Sequence, residues 1–204
     1  SSSTLPTFRD GRLALGARFH SLVATLSVFC LPPDRMMVRQ NDFVDTSGSS
    51  APSPSGRVFD PWIGPLYDRE GLLEHGGLRL LLVGESHYGT PGTERSGFTE
   101  EVVRRLALNG GHRFFTTVTR AVTGDRRAGA AQRRDLFERI AFVNCVQAFA
   151  AESSSDRTRP TPEMWEVGIR ALSATVAEVL PDAVLALSLS IGKRLPGLGV
   201  TAHA

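Results

Sequence analysis

The apolar positions of this 204-residue chain cluster in three short continuous runs, at residues 78–83, 140–146 and 183–189. Continuous apolar runs of this length are typical of strands that are buried on both faces of a parallel sheet. Between the runs lie longer stretches whose apolar residues recur every three or four positions, as in helices that bury one side. The alternation predicts an α/β fold, a three-layer sandwich in which helices cover both faces of a central, mostly parallel sheet.

Four helices are predicted between these runs, the third of them short. The first covers residues 98–109, the second ends at Gly124, and the third covers residues 132–139. The fourth begins at Thr161-Pro162-Glu163, where a capping hydroxyl, a proline at the first helical position and an acid in the first turn are all helix-start signals. Its predicted core stripe consists of Trp165, Ile169, Leu172, Val176 and Val179.

The first 57 residues do not share this pattern. Residues 22–31 are apolar, but they are too few to span a bilayer, which needs about 20 residues. No signal-peptide cleavage site follows them, and residues 46–56 have the Ser/Pro/Gly composition of a linker. We therefore predict that residues 1–57 form a disordered or non-native extension that contributes nothing to the fold, with translation naturally starting at Met36 or Met37. Residues 58–204 then form the domain.

Composition narrows the class of protein. With 41% hydrophobic and 22% charged residues, the chain is typical of a globular protein. Two cysteines are too few for a disulfide framework or a cysteine-rich metal site, which favours a reducing compartment and predicts a cytoplasmic protein without a membrane partner. The five histidines show no metal-ligand spacing, so no metal and no cofactor is predicted.

Basic residues are concentrated in one part of the chain. Nine arginines stand between residues 95 and 134, against the acidic residues Glu100, Glu101 and Asp125. Such a stretch either follows a phosphate backbone, where basic side chains release counterions, or forms the solvated face of helices. The net charge of +2 does not by itself argue for nucleic acid, and both interpretations stay open.

Polar segments follow each of the three predicted strands, at residues 84–89, 144–147 and 188–193. In parallel sheets ligands bind beyond the carboxyl ends of the strands, and these segments are expected to meet there. The first contains most of the candidate chemistry, because Glu85 can orient or deprotonate a water and His87 titrates near neutral pH. Tyr88 offers a flat ring for stacking. The alternative is a tight turn whose polar side chains only cap the chain.

Asn144 is the second candidate, because it lies inside an otherwise apolar strand. A buried carboxamide needs hydrogen-bond partners, so Asn144 either bonds to the backbone or presents a donor and an acceptor to a ligand. Cys145 beside it is interpreted as a small core residue.

These motifs resemble those of the uracil-DNA glycosylase superfamily. Gly84-Glu85-Ser86-His87-Tyr88-Gly89 after a strand is similar to its first motif, and residues 141–144, ending in Asn144, resemble its strand with the base-recognising Asn. Arg159-Pro160 before a long helix and residues 181–187 with Gly192-Lys193 are similar to its following segments. The chain looks most like uncharacterised glycosylase-like relatives with a Gly-Glu-Ser-His-Tyr motif.

The resemblance implies a protein directed at DNA or a nucleobase, which would hydrolyse an N-glycosidic bond if it is active. Glu85 or Ser86 would then position the water, with His87 as the third catalytic candidate. The substrate contacts would come from Gly84, Tyr88, Gly89, Asn144 and Lys193, with Tyr88 forming a wall of the base pocket and Asn144 reading the base edge.

The chain also departs from the superfamily pattern. Ser86 replaces the catalytic Asp of one branch, His87 replaces a Pro, and the iron–sulfur cysteines of another branch are missing. The late His-Pro-Ser loop has no counterpart, so we expect a domain that is short at its C-terminal end and lacks the last strand of its sheet. Two other functions are considered: an esterase-type hydrolase with Ser86 as nucleophile and His87 as base, and a non-enzymatic haem- or small-ligand-binding module with His87 as axial ligand.

Overall fold

A computed structural model describes residues 56–152, with only the backbone of Glu74, and residues 158–195, together with the backbone of four short strand segments at residues 8–9, 12–13, 27–30 and 201–203. In chain order the strands are β1 (Phe8–Arg9), β2 (Arg12–Leu13), β3 (Ser27–Cys30), β4 (Trp62–Ile63), β5 (Leu80–Gly84), β6 (Ala141–Asn144), β7 (Ala183–Ala186) and β8 (Thr201–His203). The helices are α1 (Phe98–Val102), α2 (Arg113–Thr123), α3 (Ala130–Arg139), α4 (Pro162–Val179) and α5 (Leu189–Gly192). A 3₁₀ turn, Leu73–His75, precedes β5, and a π-helix, Val103–Leu108, continues α1.

Four strands form an open, mostly parallel sheet in the order β4-β6-β5-β7. The three central strands run parallel to one another, and the two-residue strand β4 pairs antiparallel with β6 at the edge. The predicted α/β class and the parallel pairing of the three apolar runs are therefore confirmed.

Beyond β7 the sheet order continues with β3 and then β8, both paired antiparallel. No parallel strand follows β7 among the residues that the structure describes. β3 lies within the predicted extension of residues 1–57, and its backbone pairs with all four residues of β7. That residues 1–57 contribute nothing to the fold stays a prediction.

Helix α4 begins where the sequence predicts. The Thr161 hydroxyl accepts a hydrogen bond from the Met164 N–H at 3.3 Å, and Pro162 takes the first helical position, where a proline costs no hydrogen bond. At the other end, Leu180 adopts a left-handed conformation with φ of 49°, and its N–H donates to the carbonyl of Val176. Pro181 follows, and a helix cannot continue through it.

Two predicted elements differ in the structure. The helix predicted over residues 98–109 divides into α1 and the π-helix, where each N–H donates to the carbonyl five residues back. The strand predicted over residues 183–189 ends at Ala186, because the Ser188 hydroxyl accepts from the Ile191 N–H at 3.3 Å and starts α5. Apolar content alone does not distinguish a strand end from a helix start.

Each face of the sheet carries one hydrophobic cluster. The alternating side chains of the strands divide between them, Leu81 and Val83 on the α4 side and Leu80 and Leu82 on the side of α1–α3. The predicted stripe of α4 is buried as expected, with Ile169 half-buried at its margin. Apolar residues therefore pack against both faces of β5 and β6, and polar groups can meet solvent at the ends of these strands.

Candidate functional site

The three polar segments after the central strands lie side by side, because β6, β5 and β7 are neighbours in the sheet. Backbone hydrogen bonds continue past the strand ends. The N–H of Val146 donates to the Glu85 carbonyl and that of Leu187 to the Val83 carbonyl, each at 2.9 Å. The loop at residues 84–89 therefore leaves the sheet between the other two. Its first residues are bonded to the segment after β6, and Val83 before it is bonded to the segment after β7.

Glu85 is the acidic group at the centre of this edge. Its side chain is 22% exposed, and the carboxylate is held on both oxygens. Oε2 accepts a hydrogen bond from the Ser188 hydroxyl at 3.3 Å, and Oε1 lies 3.7 Å from the guanidinium of Arg159. The carboxylate thus bridges the end of β7 and the segment that leads into α4.

Asn144 is the last residue of β6 and stands opposite Gly84 in the parallel pair. Its side chain follows that of Phe142 on the α1–α3 side, and a methyl group added to Gly84 would lie 2.0 Å from the Asn144 Oδ1. Glycine at position 84 is therefore what leaves room for the carboxamide. The sequence indicates Gly84 as a site residue, but it does not show that glycine is needed there to make room for Asn144.

The carboxamide of Asn144 makes no hydrogen bond to any residue that the structure describes, although Asn144 is only 6% exposed. In the same residues, no side-chain nitrogen or oxygen sealed from solvent lacks a partner. The polar atoms of Asn144 must therefore reach accessible space at the sheet end. A donor and an acceptor on one rigid side chain are what a nucleobase edge requires, but no contact joins Asn144 to Glu85 or Tyr88, so their shared cavity stays a prediction.

His87 points into the core. Only 4% of it is exposed, and its ring packs edge-on against Phe59 and Phe98, with centroid distances of 4.9 and 5.0 Å. Nε2 is hydrogen-bonded to the Thr99 hydroxyl at 3.0 Å. Burial lowers the pKa of His87 to about 4, because a charged imidazolium is unfavourable among apolar rings. The neutral ring ties the loop after β5 to the first turn of α1.

The remaining predicted residues have different surroundings. Ser86 is half-buried, and its hydroxyl makes no hydrogen bond to His87 or to any other residue in the part of the chain that the structure describes. Tyr88 is 49% exposed, so its ring is free to stack on a ligand. Gly89 packs against Phe149, where an added methyl group would lie 2.8 Å from the ring. Lys193 is exposed at the end of α5.

Two supporting residues were not predicted from the sequence. Gln147 is buried, accepts from the N–H groups of Val58 and Phe59 at 2.9 Å, and donates to the Asn144 carbonyl. Glu94 accepts from the N–H of Phe149 at 2.9 Å. A second carboxamide three residues after Asn144 in an apolar segment was the available signal for Gln147. No local pattern marks Glu94.

Potential metal ligands and the Cys145 thiol are considered among the residues that the structure describes. The residues that the structure describes contain no group of three His, Cys, Asp or Glu side chains that could hold a metal ion. Burial raises the pKa of the Cys145 thiol to about 12, so it stays protonated and packs as a small core residue, as predicted. No described helix has both the length and the apolar character needed to cross a membrane.

Many of the arginines between residues 95 and 134 already have partners. Arg95 and Arg104 form ion pairs with Glu101 and Glu100, while the buried Arg133 donates to the carbonyls of Ala107 and Gly110. Exposed arginines without a side-chain bond to a described residue are Arg113, Arg126 and Arg127.

Comparisons of the chain with protein-family models, curated proteins and solved structures find no match.

Proposed function

We propose that this chain is a nucleobase-binding protein directed at DNA, with the three-layer architecture of the uracil-DNA glycosylase superfamily, and that it hydrolyses an N-glycosidic bond. The observation that carries the proposal is the Asn144 carboxamide, which is almost buried, has no partner among the described residues and stands opposite Gly84, the residue before Glu85. The two hydrophobic clusters on opposite faces of the sheet support the three-layer arrangement.

The proposed chemistry assigns one task to each group. A glycosylase takes the base out of the helix and reads it by hydrogen bonds to its edge and by stacking, which Asn144 and Tyr88 would supply. Glu85 would position a water and stabilise the positive charge that develops on the sugar, and an anchored carboxylate is suited to this task. The Ser188 hydroxyl, 3.3 Å from Oε2, would keep that carboxylate oriented.

The two alternative functions are disfavoured by the position of His87. An esterase needs a base within hydrogen-bond reach of its serine, but the His87 ring is bonded to Thr99 and lies in an aromatic cluster. A haem module needs a histidine nitrogen free for the iron, and Nε2 of His87 is already engaged in a site that is 4% exposed. His87 is therefore proposed as a positioning residue.

The test is base release from DNA. Full-length protein is incubated with duplex and single-stranded oligonucleotides that carry uracil or other altered bases, and abasic sites are scored after alkaline cleavage. Glu85→Gln should lower turnover by about 10²–10³, a typical loss for one electrostatic group, while the affinity for DNA changes by no more than a few-fold. Glu166→Gln, at an exposed position of α4, is the matched control and should retain full activity.

Two further variants separate recognition from catalysis. Asn144→Ala should weaken binding of oligonucleotides that display the correct base and leave binding of a baseless oligomer unchanged. Ser86→Ala should retain base release. The opposite pattern, in which a generic ester is cleaved, cleavage is lost with Ser86→Ala and survives Glu85→Gln, would replace the glycosylase proposal with the esterase.

A further inference from the structure

We propose that Arg159 is an exchangeable partner of Glu85: a phosphate group of the ligand takes the guanidinium away from the carboxylate, so that binding of the anion frees Glu85 for its task. The role of Glu85 in this inference rests on the proposed function, whereas the capture of phosphate by Arg159 does not. In the sequence Arg159 is marked only by the Arg159-Pro160 motif, and the structure brings its side chain to the Glu85 carboxylate.

The contact has the features of a pair that can exchange. Arg159 and Glu85 approach to 3.7 Å, a distance longer than that of a direct hydrogen bond. The Arg159 side chain is 83% exposed, whereas that of Glu85 is 22% exposed. The cation therefore extends from solvent over a carboxylate that the protein holds in place, and only the cation has room to move.

The relative strengths of the two contacts also favour transfer of Arg159 from Glu85 to a phosphate. Exposed ion pairs stabilise proteins only weakly, so a competing anion loses little affinity by breaking one. Phosphate is the suitable competitor, because a guanidinium binds it through two parallel hydrogen bonds with matching geometry. The Ser188 hydroxyl would still hold the other oxygen of the carboxylate after Arg159 has left.

The charge at this end of the sheet also favours an anionic ligand. Glu85 alone would repel a phosphate, but the short helix α5, which begins after its partner Ser188, is followed by two cations. Arg194 lies 4.2 Å above the ring of Trp165, and Lys193 is exposed beside it at the end of α5. Arg159, Lys193 and Arg194 therefore all lie on segments that follow the carboxyl ends of β6 and β7. A phosphodiester backbone or the phosphate of a single nucleotide would supply the required anion.

The test measures binding of three probes to the full chain by fluorescence anisotropy: a labelled 12-residue oligonucleotide, a baseless phosphodiester oligomer of the same length, and a deoxynucleoside 5′-monophosphate as competitor. Arg159→Ala should weaken binding of the baseless oligomer at least fivefold and lower the slope of log affinity against log salt by about 0.7, the loss of one phosphate contact on a single strand. Arg159→Lys should restore part of this loss. Competition by the mononucleotide identifies free nucleotide as the anion source, and its absence identifies the backbone.

The matched control is Arg170→Ala. Arg170 is an exposed arginine of α4, eight residues after Pro162 and so about 12 Å further along the helix. Its loss should change binding less than twofold. Melting curves of both variants should match the wild type, because neither side chain is buried.

Exchange is distinguished from a simple phosphate contact by a double-mutant cycle. Glu85→Gln removes the competing carboxylate, so it should strengthen binding of the baseless oligomer about twofold to fivefold, the range for an exposed ion pair. The same change should strengthen binding equally in the Arg170→Ala background and much less in the Arg159→Ala background, where it only relieves the repulsion between carboxylate and phosphate. Equal effects in both backgrounds would overturn the exchange, and so would equal losses from Arg159→Ala and Arg170→Ala.

Failure of this inference can be told apart from failure of the proposed function. If Asn144 governs base recognition while Arg159→Ala has no effect, the exchange is wrong and the nucleobase site stands. If Arg159→Ala weakens the baseless oligomer but no base is read or released, the phosphate site stands alone.

Discussion

Acid should destabilise this protein through His87, a residue that titrates near neutral pH in the unfolded chain but not in the folded one. Its ring is 4% exposed, packs against Phe59 and Phe98, and is hydrogen-bonded to Thr99. Burial lowers its pKa to about 4 from an ordinary value near 6.5. Because the folded state binds the proton less readily than the unfolded state, the free energy of unfolding must fall as the pH falls.

The size of the effect follows from the two pKa values. Above about pH 6.5 His87 is neutral in both states and its contribution is fully present. As the pH falls from 6.5 towards 4, His87 is protonated in the unfolded state but not in the folded state. The free energy of unfolding then falls by about 1.4 kcal/mol for each pH unit. At pH 4.5 the loss from His87 is therefore about 2.5 kcal/mol, and below pH 4 it stays constant.

Urea denaturation at pH 7.5 and pH 4.5 measures this loss for the wild type and for His87→Phe. The variant keeps a ring in the cluster but cannot titrate, so its difference between the two pH values should be smaller than that of the wild type by about 2.5 kcal/mol. Losing the bond to Thr99 lowers its stability at both pH values and cancels in the difference. His75→Gln, at a half-buried histidine in the 3₁₀ turn that precedes β5, should retain the wild-type loss.

A wild-type loss that persists unchanged in His87→Phe would refute the reasoning, because the acid sensitivity would then come from other groups. A loss that disappears in both variants would refute it as well, since His75 lies outside the aromatic cluster.

Three further predictions concern the site and its support. Gly84→Ala should displace the Asn144 carboxamide and weaken nucleobase binding as Asn144→Ala does, and it should lower the free energy of unfolding by about 1–3 kcal/mol in urea titrations. Gly111→Ala is the control and should bind normally, because a methyl group added there has no other atom within 4 Å. Tyr88→Ala should weaken oligonucleotide binding in anisotropy titrations by about 1–3 kcal/mol, the value of one stacked base, without changing the melting temperature, because its ring is 49% exposed. Asp182→Asn should lower the free energy of unfolding by about 1–3 kcal/mol at pH 7 in urea denaturation, because Asp182 accepts three hydrogen bonds from Arg79. Burial acts to raise the pKa of Asp182, but these bonds hold it below its usual value. The difference from wild type should therefore shrink as the pH falls below about 4.

The amino-acid sequence by itself determined the parallel pairing of the three central strands and the edge of the sheet at which the candidate residues lie. Apolar runs mark β5, β6 and β7 because a strand covered on both faces has no polar positions to interrupt the run. Thr161-Pro162-Glu163 marks the start of α4 because capping depends on neighbouring residues alone. The convergence at the carboxyl ends follows from parallel connectivity, which is a property of chain order.

Only the tertiary structure decided what each polar residue of the loop after β5 contacts. Glu85 and His87 stand two residues apart in the same motif. The Glu85 carboxylate nevertheless contacts Ser188 and Arg159, while the His87 imidazole lies among aromatic rings. Their partners are distant in sequence, Ser188 by 103 positions, and no local pattern encodes such contacts. The burial of His87 depends on which surfaces the helices bring against the loop, and that is set by packing of the whole domain rather than by residues nearby.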